Sequence, residues 1–428
     1  MKIKKVSMSF ISALLAAFLI IAPTGCSEIQ SVKNSEGSTT KTVSSKAPPS
    51  SKAESSLWKP SNDTPKSATE SSEEPEAALY PDEWYDDGIF SAYYEKAYRR
   101  MSEMSLEEKI GQMMLSSCPD DFGGDLARKY YLGGYLLFGK DFQKKDKDEV
   151  INDISILTNS QDIPMIIAAD EEGGDVVRIS SKPFLSDHEF KSPRQLYSEG
   201  KMKSIEDDAL EKAQLMRSLG VNVNLAPVCD ISTDPYDFMY SRSLGQNAKI
   251  TPEFVKKVTK ISQDNGGSAA LKHFPGYGNN EDTHTGIAID KREMSEFEKN
   301  DFLPFKAGID EGAHMVLVSH NIVNCMDDSM PASLSPKVIK ILREKLGFTG
   351  IVVTDDLSMQ AIGKYTGAYT PAVLAVLAGN DMLTISEGML DESVTSIKKA
   401  VEEKVIDQKI IDRSVMRILA WKYSKNML

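Results

Sequence analysis

Eight short runs of apolar, β-favouring residues recur along the chain, separated by longer amphipathic or polar stretches. They are 110–117, 134–138, 165–169, 221–227, 268–273, 315–319, 351–354 and 382–385. Continuous apolar runs of this length suit strands buried on both faces, as in a parallel sheet. Parallel neighbours need a crossover, and amphipathic segments supply it at 254–264 and at 336–345, the latter with Ser335 as candidate N-cap. Residues 391–427 read as two more amphipathic helices. Eight such units predict an α/β fold, a single (β/α)8 TIM barrel, over a doubly wound sheet. The body that holds them, 80–428, exceeds the usual domain size but fits one barrel. The long intervals before 221 and before 315 leave room for extra loops or helices.

The chain ahead of this body has another character. Lys2, Lys4 and Lys5 precede an apolar stretch, 8–22, that is short for a membrane span and long enough for the core of a signal peptide. Pro23-Thr24-Gly25-Cys26 resembles a bacterial lipobox, with Pro23 where an aliphatic residue is usual. That resemblance implies a lipoprotein signal peptide at 1–25 and a lipid on Cys26; the alternative is a plain signal peptide with an incidental cysteine. Residues 26–79 are rich in Ser, Lys, Glu, Thr and Pro. Such a stretch buries too little apolar surface to offset its ordering entropy, which predicts a disordered tether. The expected location is extracytoplasmic, on the outer face of the cell membrane, with the lipid anchor as the only membrane contact.

Net charge is −13, which argues against a nucleic-acid partner, although an acidic balance also reads simply as solubility. The four cysteines, Cys26, Cys118, Cys229 and Cys325, form no CxxC pair, and Cys118 and Cys229 sit in apolar runs as expected buried thiols. The five histidines show no His-x-His or His-x3-4-His spacing, so no metal and no cofactor are expected.

A barrel does its chemistry at the C-terminal ends of its strands. Polar residues gather there: Asp170, Glu171 and Glu172 after the third run, Asp230 after the fourth, Lys272 and His273 at the end of the fifth, His320 and Asn321 at the sixth, Asp355 and Asp356 at the seventh. The fifth run continues into a Pro/Gly-rich loop, Phe274-Pro275-Gly276-Tyr277-Gly278, and then Asp282-Thr283-His284. In an extended loop Asp282 and His284 point the same way, so Asp282 can orient the imidazole as an acid/base. A surface loop with a capping Asp is the plainer reading. Asp355 and Asp356 can each be a strand-end nucleophile or a helix cap, and spacing does not separate them. His320 reads equally as a site-lining or a packed core residue, and His188 and His314 have no visible role. Lys272 at a strand end also suits a Schiff-base enzyme, but that leaves Asp282, His284 and the acidic triplet unexplained.

Taken together these motifs resemble glycoside hydrolase family 3, in its β-N-acetylglucosaminidase (β-N-acetylhexosaminidase) branch and lipoprotein form. The run from Lys272 to Gly278 with Asp282-Thr283-His284 is similar to KHFPGHG followed by DSH; Tyr277 replaces the second His, Thr283 replaces Ser, and the spacer is one residue shorter. Asp170-Glu171-Glu172-Gly173-Gly174 with Arg178, Asn224-Leu225-Ala226-Pro227-Val228-Cys229-Asp230, Arg242-Ser243-Leu244-Gly245, Asp355-Asp356-Leu357-Ser358-Met359 and Ala378-Gly379-Asn380-Asp381-Met382 match further family segments. The resemblance implies that Asp355 is the nucleophile, leaving Asp356 to cap the helix expected after it. It implies Asp282 and His284 as the acid/base pair, and Asp170, Arg178, Arg242, Lys272 and His273 as sugar-binding residues. A buried ion network of Arg178 or Arg242 with Asp170 or Asp230 is the structural alternative, and both readings can hold at once.

The implied enzyme is a retaining exo-β-N-acetylglucosaminidase that removes terminal non-reducing N-acetylglucosamine from muropeptides or chitooligosaccharides through a covalent glycosyl-enzyme. No second domain is expected after the eighth run, so the loop at 282–284 would supply the acid/base. A β-glucosidase of the same family is one alternative. A phosphorylase is another, because a neutral imidazole does not repel an anionic acceptor. A non-catalytic wall-sugar-binding lipoprotein is the alternative from a different class.

Overall fold

The computed structural model describes residues 86–122, 124–278, 280, 286–363, 365 and 368–428. Cys26, the segments 1–25 and 26–79, Asp282 and His284 lie outside the described residues.

The eight apolar runs each hold a strand: β1 (Met114–Ser117), β2 (Gly134–Leu137), β3 (Ile166–Ala169), β4 (Val223–Asn224), β5 (Ala270–Phe274), β6 (Met315–Val318), β7 (Ile351–Thr354) and β8 (Leu383–Ile385). Every residue of β2, β3, β5, β6, β7 and β8 is buried, as the unbroken apolar runs require. All ladders are parallel. One sheet runs β8-β1-β2-β3-β4 and a second runs β5-β6-β7. Between the sheets are isolated parallel bridges, Asn224 to Ala269 and Val228 to Lys272 on one side and Val353 to Met382 on the other.

The continuous ladder expected of a barrel is therefore reduced to isolated bridges at two seams, although backbone hydrogen bonds cross both of them, such as Ala270 N to Ala226 O at 3.1 Å and Thr354 N to Met382 O at 3.1 Å. On the β3 side of β4, Asn224 binds the backbone of Glu171 through both its amide atoms, at 3.0 Å each, and Pro227 has no N–H to donate. These residues reduce the expected strand 221–227 to the two residues of β4. At the seam between β7 and β8 the Asp381 carboxylate takes Val352 N at 2.8 Å, and the Thr354 hydroxyl takes Thr384 N at 3.0 Å. The first run also starts later than expected. Ser105 and Glu108 form a reciprocal capping box, which nucleates a helix over Leu106–Gln112 and draws Ile110 into it.

The helical expectations hold at Thr251–Asp264, Leu390–Glu402 and Gln408–Ser424. Ser335 caps Pro336–Lys340 by accepting from Val338 N, and one π-helical turn, Ile341–Lys345, completes that segment. The long interval before β4 holds the helical segment Pro193–Ser218, broken into two helices by a kink at Lys201, and the one before β6 holds Met294–Lys299 and Phe302–Asp310. Among the described residues no helix follows β7 directly: 357–363 form turns and a bend, and the next helix is Pro371–Ala378. Asp356 thus caps a turn, with Oδ1 accepting from Ser358 N at 2.9 Å, and not the helix expected there. Cys118 and Cys229 are buried free thiols. Among the described residues no helix is long and apolar enough to cross a membrane.

Candidate active site

A cavity of about 280 Å3 opens where the strands end. Strands β2 to β8 each contribute at or just beyond their C-terminal halves, including Phe138, Asp170, Leu225, Lys272, Asp355 and Thr384. Every expected site residue among the described ones lines it: Asp170, Arg178, Arg242, Lys272, His273 and Asp355.

The three adjacent carboxylates after β3 have separate tasks. Asp170 faces the cavity, with Lys272 Nζ at 2.7 Å and Arg178 Nη2 at 3.5 Å. Glu171 is fully buried and accepts from the backbone N–H groups of Arg178, Ile179 and Ser180 at 2.8, 2.8 and 3.1 Å. It folds the loop that presents Arg178. Glu172 accepts from Arg242 Nε at 2.9 Å and Nη2 at 2.7 Å, and its Oε1 lies 2.5 Å from Lys272 Nζ. Burial alone would raise the Glu172 pKa, but Lys272 and Arg242 override it and hold the carboxyl far below the usual range. Glu172 in turn holds Arg242 above its ordinary value against the opposing effect of burial.

His273 is fixed from both ring nitrogens. Arg242 Nη2 can only donate, so His273 Nε2, at 3.2 Å, accepts. Nδ1 then carries the proton and donates to Asp230 Oδ2 at 2.8 Å. Asp230 also takes the backbone N–H of His273 at 3.2 Å and of Tyr277 at 2.7 Å. One fully buried carboxylate therefore shapes both the end of β5 and the first turn of the loop that leads toward Asp282 and His284. Tyr277 packs its ring edge-on to His273, with centroids 5.4 Å apart. Beyond it, Asn280 Nδ2 donates to Tyr277 O at 2.7 Å and to Asp290 Oδ2 at 2.8 Å, and Arg292 ties Asp290 to Asp301 at 2.7 and 2.9 Å.

Asp355 is half-buried at the end of β7; its N–H donates to Val318 O at 2.9 Å and its Oδ1 accepts from Asp356 N at 2.9 Å. His320 is completely buried, with Nδ1 at 2.7 Å from Ser333 Oγ and Nε2 at 2.9 Å from Asp356 O. It is a packed residue that braces the turn behind Asp355. His314 is half-buried with Nδ1 at 2.8 Å from Ser268 Oγ, and desolvation lowers its pKa to about 3; His188 is exposed beside Glu211 at 3.7 Å.

Asp170, Arg178, Arg242, Lys272 and His273 line the cavity and also belong to an ion network in which Glu172 and Asp230 stand behind them. The pairing differs from expectation at Arg242, whose partner is Glu172 and not Asp170 or Asp230. The sequence reading placed Glu172 and Asp230 at strand ends but gave neither a place among the site residues. The available signal was charge balance: Arg242 and Lys272 at buried strand ends need more carboxylate than Asp170 supplies. Lys272 is 2 % exposed and paired with two carboxylates, Asp170 and Glu172, so its Nζ is committed to the ion network.

Comparison with known proteins fits this geometry. The chain is 30% identical over 277 residues to a protein named beta-hexosaminidase from Nitrosomonas eutropha, covering 62% of this chain and 78% of that one. It is 27% identical over 329 residues to the beta-hexosaminidase LpqI of Mycobacterium tuberculosis, covering 74% of this chain and 83% of the other. A solved glycoside hydrolase family 3 β-N-acetylglucosaminidase from Paenibacillus sp. str. FPU-7 superposes with a TM-score of 0.69 at 29% identity, covering 76% of this chain and 63% of that longer one. The family model described as "Glycosyl hydrolase family 3 N terminal domain" matches residues 105–421. The chain is a glycoside hydrolase and belongs to glycosyl hydrolase family 3.

Proposed function

We propose that this enzyme is a retaining exo-β-N-acetylglucosaminidase (β-N-acetylhexosaminidase), with Asp355 as nucleophile and His284, oriented by Asp282, as acid/base. The reading includes the two sheets as arcs of one (β/α)8 barrel, and a lipid on Cys26 that anchors the enzyme outside the cell membrane, where muropeptides or chitin fragments are its substrates. The observation that carries it is the sharing of one cavity by Asp355 and the clamp of Asp170, Arg178, Arg242, Lys272 and His273. The names of the relatives support the choice of sugar.

The clamp suits a sugar because charge-assisted hydrogen bonds to hydroxyls are directional, and its members are already held in place by their mutual ion pairs. Asp355 attacks the anomeric carbon; the bond to the leaving oxygen breaks, and His284 gives that oxygen its proton. Water then attacks the same carbon from the vacated side, His284 takes the water's proton, and Asp355 is released. Two inversions return the β configuration.

The test is turnover of nitrophenyl β-glycosides of N-acetylglucosamine and of glucose, with and without phosphate, and trapping with a fluorinated N-acetylglucosamine donor. Preference for the N-acetyl sugar, free sugar as product, and an adduct on the peptide containing Asp355 are expected. An adduct on another residue removes Asp355 from its role, and sugar-1-phosphate as product makes the enzyme a phosphorylase.

A further inference from the structure

A second cavity, of about 650 Å3, lies at the other end of the strands. Its wall includes Phe348 and Thr349, which precede β7, and Gly379 and Asp381, which precede β8. In a chain of net charge −13, this cavity is lined by five cations, Lys340, Arg343, Lys409, Arg413 and Arg417, against the carboxylates Asp86, Glu344 and Asp381.

The three carboxylates are already engaged. Asp381 takes Arg343 at 2.5 Å, Arg417 at 3.0 Å and Val352 N at 2.8 Å. Asp86 takes the Tyr94 hydroxyl at 2.7 Å, Gly88 N at 2.9 Å and Arg417 at 3.4 Å. Glu344 lies 3.7 Å from Lys340. Arg413, half-buried in the wall, has no carboxylate or carbonyl partner among the described residues. Its Nε is buried and unbonded, and so is the Nε of Arg417, a residue 6 % exposed. Burial and the like charge of Arg417 push the Arg413 pKa down, and burial with Arg417 lowers Arg343 to about 10. Asp86 and Asp381 attract Arg413 without bonding it, and a buried donor left unbonded is unfavourable until an acceptor of opposite charge arrives. The planar guanidinium fork matches an oxyanion with several oxygens.

We propose that this cavity binds a phosphate-bearing anion, with Arg413 as the residue that recognises it. Two sources share that chemistry: free inorganic phosphate and the headgroup of an anionic phospholipid.

The test uses the full chain and its Arg413→Gln variant. Thermal melting is compared in phosphate and in chloride of matched ionic strength, and vesicle binding is compared between phosphatidylglycerol and phosphatidylcholine. In chloride the variant is expected to melt within about 1 °C of the native chain, because it loses the repulsion of Arg417 together with the attraction of Asp86 and Asp381, and no bonded partner. Phosphate is expected to raise the native melting temperature by about 2 °C or more, and to leave the variant unmoved. A preference for phosphatidylglycerol that disappears in the variant assigns the headgroup; a phosphate response without that preference assigns the free ion. The proposal is overturned if neither probe separates the native chain from the variant, or if the variant melts several degrees lower in chloride.

Discussion

Glu172 and Arg242 form a two-pronged ion pair, Nη2 to Oε1 at 2.7 Å and Nε to Oε2 at 2.9 Å, beneath the cavity that holds Asp355. The same Oε1 lies 2.5 Å from Lys272 Nζ. One buried anion thus sets the spacing of two of the cations that would meet a sugar. Removing one partner of a buried pair leaves the rest uncompensated, which outweighs the net worth of the pair itself.

Glu172→Gln is therefore expected to cost about 3–5 kcal/mol of stability in urea unfolding. It is also expected to cut kcat/KM about 100-fold, because small displacements of positioning groups are expensive in rate. The acid limb has a defined sign. In the folded protein Glu172 stays ionised far below the usual range, whereas in the unfolded chain it takes a proton near about pH 4.3. Its contribution is complete above that pH and is lost as pH falls further. Unfolding curves between pH 3 and 5 should show a shallower loss in Glu172→Gln than in the native enzyme.

Asp230 accepts three hydrogen bonds, from His273 Nδ1, His273 N and Tyr277 N. Asp230→Ala strands two buried N–H groups and frees the His273 ring, so a loss of about 3–5 kcal/mol is expected. Asp230→Asn keeps an acceptor but not the charge, and should lose less. Chemical denaturation of the two variants side by side checks the order.

Gly276 has φ +121°, in the left-handed region, and a β-carbon there would run into the Asp301 carboxylate. Gly276→Ala is expected to cost about 1–3 kcal/mol and to displace the turn between His273 and Tyr277. Turnover should fall with stability. An alanine variant with native melting temperature and native kcat/KM would show that this turn does not place the loop beyond it.

Lys422 is fully buried, with Nζ at 2.6 Å from Gln112 Oε1 and 3.2 Å from Gly133 O, and burial lowers its pKa to about 7. The unfolded side chain keeps its proton to about pH 10.4. Between those values the unfolded state binds more protons, so this group makes stability rise with pH above 7, by up to about 1.4 kcal/mol per unit. Urea unfolding at pH 7, 8 and 9 measures the slope, and Lys422→Met should flatten it.

The sequence alone determined the strands, most of the helices and the end of the strands where the charged residues gather. These follow from local rules: unbroken apolar runs such as 351–354 are strands wherever they are buried, and Ser335 caps because it precedes a proline-led amphipathic turn. Tertiary structure alone decided the pairing. Whether Arg242 meets Asp170, Asp230 or Glu172 depends on distances between separate strand ends, and those carboxylates are chemically equivalent in a linear chain. The same holds for β4, shortened because Asn224 found the backbone of a neighbouring strand, and for His320, whose burial behind Asp356 was invisible from its place in the chain. A chain prints its short-range preferences in order; partners chosen across space appear only once the strands lie side by side.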